Sequence, residues 1–171
     1  MNRVVLNQLE GITVNDTEIT FGKRREEVIA LLGEPQREEE AQLYYDSLDI
    51  RFDFDDHGFL EFIECQGPHS ENSEFRIFNV DPFNMNDEQL VDLLTKANNG
   101  EIDDFEAPYS FCFLEISVGV WRAATPADLE SAIEQAKADG SYSESGESMH
   151  QQLESARYFS TVAVGKRGYY K

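Results

Sequence analysis

The sequence predicts an α+β fold, a mainly antiparallel sheet packed with three to four helices, and three observations carry that prediction. Leu48, Ile50, Phe52 and Phe54 alternate with Asp49, Arg51, Asp53 and Asp55, the period-two pattern of a strand with one face buried and one wet. Elsewhere, apolar positions at helical spacing coincide with start and stop signals. Strand-like and helix-like runs then follow one another in mixed order, without the regular alternation that builds a parallel sheet. No internal repeat and no linker interrupts residues 1–171, so a single domain is expected.

From the N-terminus, Val4 to Phe21 alternates loosely around Val14-Asn15-Asp16-Thr17, which reads as short strands about a polar hairpin. Lys23 to Leu32 reads as a helix with Val28, Leu31 and Leu32 as its apolar stripe, stopped by Gly33 and Pro35. The alternating strand runs into the turn Asp55-Asp56-His57-Gly58, and Phe59 to Cys65 returns antiparallel. Gly67 to Ser73 is a polar loop, and Phe75 to Val80 a further strand closed by Asp81-Pro82. Met85 to Asn98 is the best-marked helix: Asn86 can cap it with Gln89 three residues on, Leu90, Leu93 and Leu94 form its core side, and Gly100 ends it. Phe111 to Arg122 reads as one long central strand with Cys112, Leu114, Ile116, Val118 and Val120 on one apolar face, and Trp121 is expected to be structural with it. Thr125-Pro126-Ala127-Asp128 opens a helix that Gly140 closes. Ser141 to Ser148 is small, polar and acidic and reads as a mobile loop. Met149 to Arg157 is a short helix, and Tyr158 to Val164 a final strand that must pair inside the sheet.

Thirty-four acidic residues stand against 14 basic ones, a formal net charge of −20. A field of that sign repels DNA, RNA and anionic lipid and attracts basic proteins; it also serves solubility alone. Twelve Phe and seven Tyr supply a packed core, so neither disulfide, metal nor other cofactor is needed for folding. Cys65 and Cys112 lie far apart in apolar runs and read as buried free thiols of a reducing compartment. The opening MNRVVLNQLEG lacks the apolar stretch of a secretory signal, and no run reaches transmembrane length. The expectation is a cytoplasmic protein that contacts no membrane and no nucleic acid.

No motif for catalysis stands out: GxxxxGK[ST], GxGxxG and HExxH are all missing from the sequence, and the chain is not expected to be an enzyme. Asp53-Phe54-Asp55-Asp56-His57-Gly58 partly meets calcium-loop spacing, but its strand-like flanks favour a charged hairpin turn. A Cys65–His69 pair has no neighbouring positive charge to lower the thiol pKa. The chain does offer a binding pattern. Glu38, Glu39 and Glu40 form one acidic run, and Glu101, Asp103, Asp104 and Glu106 another, with Tyr44, Tyr45, Phe105 and Tyr109 interleaved. Acidic residues around aromatic anchors suit an arginine- and lysine-rich partner. The candidate partner-binding residues are these acids with Tyr44, Tyr45 and Tyr109; the alternative for the aromatics is core packing.

Two segments, Ile116-Ser-Val-Gly-Val-Trp-Arg122 and Tyr158-Phe-Ser-Thr-Val-Ala-Val-Gly-Lys-Arg-Gly-Tyr-Tyr-Lys171, resemble a family of small bacterial immunity proteins of contact-dependent growth inhibition and related polymorphic toxin systems. The resemblance lies in the C-terminal half. It implies a cytoplasmic binder that neutralises a cognate toxin domain, commonly a nuclease, and it implies no catalytic residues. A nuclease site must attract phosphate and so tends to be positive; an acidic protein would cover that site or the path to it. A second stretch, Gly22 to Pro35 ending in LLGEP and followed by paired strands to Glu64, resembles small modules of outer-membrane assembly lipoproteins, without the lipoprotein signal. Two other readings stay open, a hydrolase-like enzyme using Asp or Glu with His57 or His69, and an acidic protein-binding adaptor.

Overall fold

Two sheets close on one shared hydrophobic core in the computed structural model, which describes residues 1–171 apart from the side chains of residues 143–145. The chain runs through β1 (Asn2–Asn7), β2 (Gly11–Val14), β3 (Thr17–Thr20), α1 (Arg25–Leu32), β4 (Arg37–Glu39), β5 (Gln42–Tyr45), β6 (Ile50–Phe54), β7 (Leu60–Gln66) and β8 (Ser73–Arg76). It continues through α2 (Asp87–Asn98), β9 (Ile102–Asp103), β10 (Ser110–Phe113), β11 (Val118–Trp121), α3 (Pro126–Asp139), α4 (Tyr142–Ser155) and β12 (Thr161–Gly165). The smaller sheet has the order β3-β2-β1-β8, with β8 parallel to β1. The larger has the order β4-β5-β6-β7-β12-β11-β10-β9 and is antiparallel throughout. The fold is α+β, as the mixed order of elements predicts.

Register makes the core. Two apolar rows cross the larger sheet on one face, Tyr45-Ile50-Cys65-Val162-Val120-Phe111 and Leu43-Phe52-Ile63-Val164-Val118-Phe113-Ile102. A one-residue slip in any strand would turn its share of these rows to water. All five residues of β12 are buried, because its other face is covered too. The chain folds back after β12, stacking Tyr169 on Phe62 at 4.8 Å between ring centroids. A Cβ at Gly119 would stand 2.2 Å from the Tyr170 hydroxyl, so glycine is what lets that ring lie on β11.

Several expectations need correction. Phe111 to Arg122 is a hairpin, β10 and β11, and not one strand. Its reversal at residues 114–117 puts Ser117 at φ 51° and is held from outside. The buried Asn98 side chain accepts from Glu115 N at 2.8 Å and Ile116 N at 3.2 Å, and donates to Glu101 O at 2.9 Å. The reversal changes the parity before the turn, so Cys112 pairs with Gly119 on the outer face and is only half-buried; Trp121, opposite Val120 in either reading, is not a buried structural residue but 46% exposed. Residues 141–148 are not a loop, since α4 begins at Tyr142 and absorbs the expected short helix. Gly146 permits this, for a Cβ there would lie 2.8 Å from Cζ of Tyr142, whose ring runs along the helix to bring its hydroxyl to His150 Nε2 at 2.6 Å. Smaller departures follow from local geometry. Leu31 is exposed while Val28 alone of its stripe is buried, Asn99 rather than Gly100 supplies the left-handed cap of α2, and β8 stops at Arg76 because Ile77 and Val80 close a tight turn.

Replacing Asn98 by alanine strands two backbone N–H groups under the sheet. Asn98→Ala should lower stability by about 2 kcal/mol in urea unfolding; a loss below about 0.5 kcal/mol would mean that the 114–117 turn holds without it.

Candidate functional site

The two acidic runs lie at opposite ends of the larger sheet. Glu38 and Glu39 belong to edge strand β4, and Asp103 to edge strand β9. Across eight strands spaced roughly 4.8 Å apart, that separation is roughly 30 Å. One compact patch cannot contain both.

At the β4 edge two of the three acids, Glu38 and Glu39, are met by the chain itself, while Glu40 is exposed and takes part in no ion pair among the described residues. Arg25 pairs with Glu38 at 2.8 Å and donates to the carbonyls of Glu39, Glu40 and Gln42. Arg37 pairs with Glu39 at 3.1 Å and lies 3.5 Å from the centroid of the Tyr44 ring. These contacts tie α1 to the β4–β5 hairpin. Tyr45 is not a surface anchor. It is 2% exposed, meets Phe52 edge-on at 5.5 Å and donates its hydroxyl to Gly33 O at 2.8 Å; burial pushes its pKa up to about 12. It shares the core face with Leu43, two residues earlier.

At the β9 edge the charge is unmet. Among the described residues, none of Glu101, Asp103, Asp104 and Glu106 takes part in an ion pair, and all four are exposed. Phe105 stands among them 94% exposed, with Tyr109 at 37% and Trp121 at 46% nearby in the chain's register. An open cleft of about 600 Å³ is lined by Glu101, Asp103, Asp104, Phe105, Leu114, Tyr170 and Lys171. A second, of about 410 Å³, is lined by Glu106, Ala107, Tyr109, Trp121, Arg122 and Ala123. Sequence reasoning missed Trp121: alternation with Val120 puts it on the outer face in either reading, and the sequence does not show that this face is left uncovered there.

The loop that carries these side chains is braced. Asp103 Oδ1 accepts from Phe105 N at 3.1 Å, and Tyr109 N donates to Glu106 O at 2.9 Å. Tyr109 donates its hydroxyl to Asp128 Oδ2 at 3.0 Å, the same oxygen that accepts from Thr125 N and Oγ1 at the start of α3. The Thr125 bonds first, then that of Tyr109, hold the Asp128 carboxyl below the ordinary aspartate value, and the bond to Asp128 holds the Tyr109 phenol above its own. From beneath, the buried Arg122 donates Nε to Pro108 O at 3.0 Å and Nη1 to Ala156 O at 3.2 Å, pairs with Asp87 at 2.8 Å, and lies over the Phe159 ring.

Three groups weighed for chemistry are placed otherwise. Cys65 points into the core, where burial pushes its thiol pKa far up, while His69 is exposed with its ring against Tyr158. Asp55 accepts from the backbone N–H groups of His57 and Phe59 and pairs with Lys166 at 3.3 Å, so it closes the hairpin turn. Among the described residues no group of three His, Cys, Asp or Glu is placed to hold a metal ion, and no helix is long and apolar enough to cross a membrane.

Fold and surface define an acidic α+β protein whose most distinctive exterior is a charged, aromatic sheet edge. Residues 5–101 match the model of the DUF7738 family, a domain of unknown function, and the chain belongs to that family. The match runs from β1 through α2 and ends at Glu101, so the β9–β11 edge lies beyond it. No curated protein and no solved structure matches the chain.

The Asp128 tie has a definite pH window. A carboxyl whose folded pKa is depressed stabilises the fold above its ordinary value, here 3.8, and that contribution is lost as pH falls through the lower folded value. The urea midpoint of the wild type should exceed that of Asp128→Asn at neutral pH and converge with it well below 3.8; a gap that persists unchanged in acid would mean the carboxylate does not hold Tyr109 and α3.

Proposed function

We propose that this protein binds and neutralises a basic toxin domain, a nuclease by the immunity-protein resemblance, and does so in the cytoplasm without catalysis of its own. The asymmetry of the two sheet edges carries the reading. Glu38 and Glu39 are paired to Arg25 and Arg37, whereas Glu101, Asp103, Asp104 and Glu106 lie with Phe105, Tyr109 and Trp121 along two clefts whose cations, Lys171 and Arg122, pair with Glu115 and Asp87 instead. Uncompensated charge steers encounter, and exposed aromatics on a braced loop give a partner something to bury at little entropic cost. A net charge of −20 adds long-range attraction to a phosphate-binding surface. The docked edge covers the toxin's active site or the path its substrate takes.

The kinetics separate location from total charge. Asp103→Lys, Asp104→Lys and Glu106→Lys together change the net charge by +6, from −20 to −14, and the same triple change at Glu38, Glu39 and Glu40 does likewise. With the basic domain encoded beside this chain's gene as the ligand, stopped-flow association at low salt should slow by about tenfold or more for the first triple and far less for the second. Dissociation should change little, and the wild-type complex should abolish the domain's nuclease activity. Equal slowing by both triples, or a complex that leaves the nuclease active, would overturn the reading.

A further inference from the structure

Beside the Trp121 rim lies a hollow of a different chemistry. It has a volume of about 340 Å³, its apolar walls are Pro68, Ala123, Ala124, Leu129 and Ala156, and the rest of its lining is serine and glutamine. Among the described residues no charged one lines it, in a chain that carries 48 charges, 34 acidic and 14 basic. Ala123 lines both this hollow and the Tyr109–Trp121 cleft, and Ser160 of the hollow donates its N–H to Trp121 O at 2.8 Å. The two depressions are therefore neighbours along one short path.

Trp121 is an exposed indole with no cation of its own among the described residues. Arg24, Arg37, Arg51, Arg122 and Lys137 each lie over an aromatic ring, yet among the described residues no cation lies over Trp121, the ring type that attracts one best. Glu106 shares its cleft with Arg122, whose charge is buried and paired with Asp87, so the exposed charge there is the carboxylate. The rim is thus suited to a positive charge and the hollow to a neutral aliphatic group.

We infer that the hollow and the Trp121 ring together receive one extended segment of the basic partner. An aliphatic side chain enters between Ala124, Leu129 and Ala156, and an adjacent arginine or lysine lies on Trp121 beside Glu106. This rests on the binding reading above and specifies the recognised segment: an aliphatic residue next to a cationic one.

Blocked dipeptides test the inference without the toxin. Acetyl-Leu-Arg-amide, acetyl-Gly-Arg-amide and acetyl-Leu-Glu-amide are titrated into the isotopically labelled full chain and followed by NMR. The Leu-Arg probe should shift the Trp121 indole and the methyls of Ala123, Ala124 and Leu129. It should bind roughly tenfold tighter than Gly-Arg, from burial of the leucine side chain, and roughly threefold tighter than Leu-Glu, from the cation on the ring. Ala124→Phe should fill the hollow and erase the preference for leucine, and Trp121→Ala should erase the preference for arginine, with thermal melts confirming both folds. Equal affinity for Leu-Arg and Gly-Arg, or shifts confined to other surfaces, overturns the inference while a toxin complex that survives Ala124→Phe keeps the docking edge. Leu-Arg capture with no toxin complex supports this site and removes the toxin as its occupant.

Discussion

A guanidinium with 4% of its surface exposed must be paired where it lies, because an unpaired buried charge costs several kcal/mol. Arg122 meets that demand with groups from four separate places: Pro108 before β10, Asp87 at the start of α2, Ala156 at the end of α4, and the Phe159 ring before β12. Moving α2 would leave the charge without Asp87, and moving Pro108 or Ala156 would leave a buried N–H without its acceptor. Arg122 follows Trp121 directly, and its own N–H donates to Tyr109 O at 2.9 Å. The buried pairing therefore fixes the base of the loop that carries Phe105, Tyr109 and the acidic run. An exposed edge of charged and aromatic side chains would otherwise be free to fray. Here it is anchored by a charge that cannot be hydrated elsewhere.

The second constraint is topological. β12 pairs with β7 on one side and β11 on the other, so it alone joins β4–β7 to β9–β11. The DUF7738 match ends at Glu101, which places the β9–β11 block and the strand that attaches it beyond the matched segment. The scaffold of β1 to β8 with α1 and α2 supplies one side of the core, and the remaining chain completes the sheet and brings the acidic aromatic edge with it. Burial of β12 on both faces, by the apolar rows beneath and by Tyr169 and Tyr170 above, makes that attachment an integral part of the core.

What the sequence made legible was local. The capping boxes of Asn86 with Gln89 and Thr125 with Asp128 are both formed, because such boxes are settled within one helical turn. The alternation of Ile50, Phe52 and Phe54 is likewise the burial pattern found. Readings failed where the deciding group is distant. The 114–117 reversal depends on Asn98, 17 residues before Glu115, and it is that reversal which turns Cys112 off the core face. Glu38 is paired by Arg25, 13 residues before it, so a run of glutamates looks the same in sequence whether it is paired or free. α4 forms through SYSESGES because packing on α3 and the Tyr142 ring over Gly146 outweigh weak helix propensity. Tyr45 carried a readable signal: it sits two residues from Leu43, on the face that Tyr44 does not share.

A footprint of the complex by backbone hydrogen exchange addresses the central claim most directly, that the β9–β11 edge and not the β4–β5 hairpin meets the partner. In complex with the proposed partner, a basic domain, the protein should gain protection at residues 102–110 and around Trp121 to Ala124, with residues 37–45 unchanged. Protection centred on residues 37–45, or none at the β9–β11 edge in a stable complex, would contradict the account.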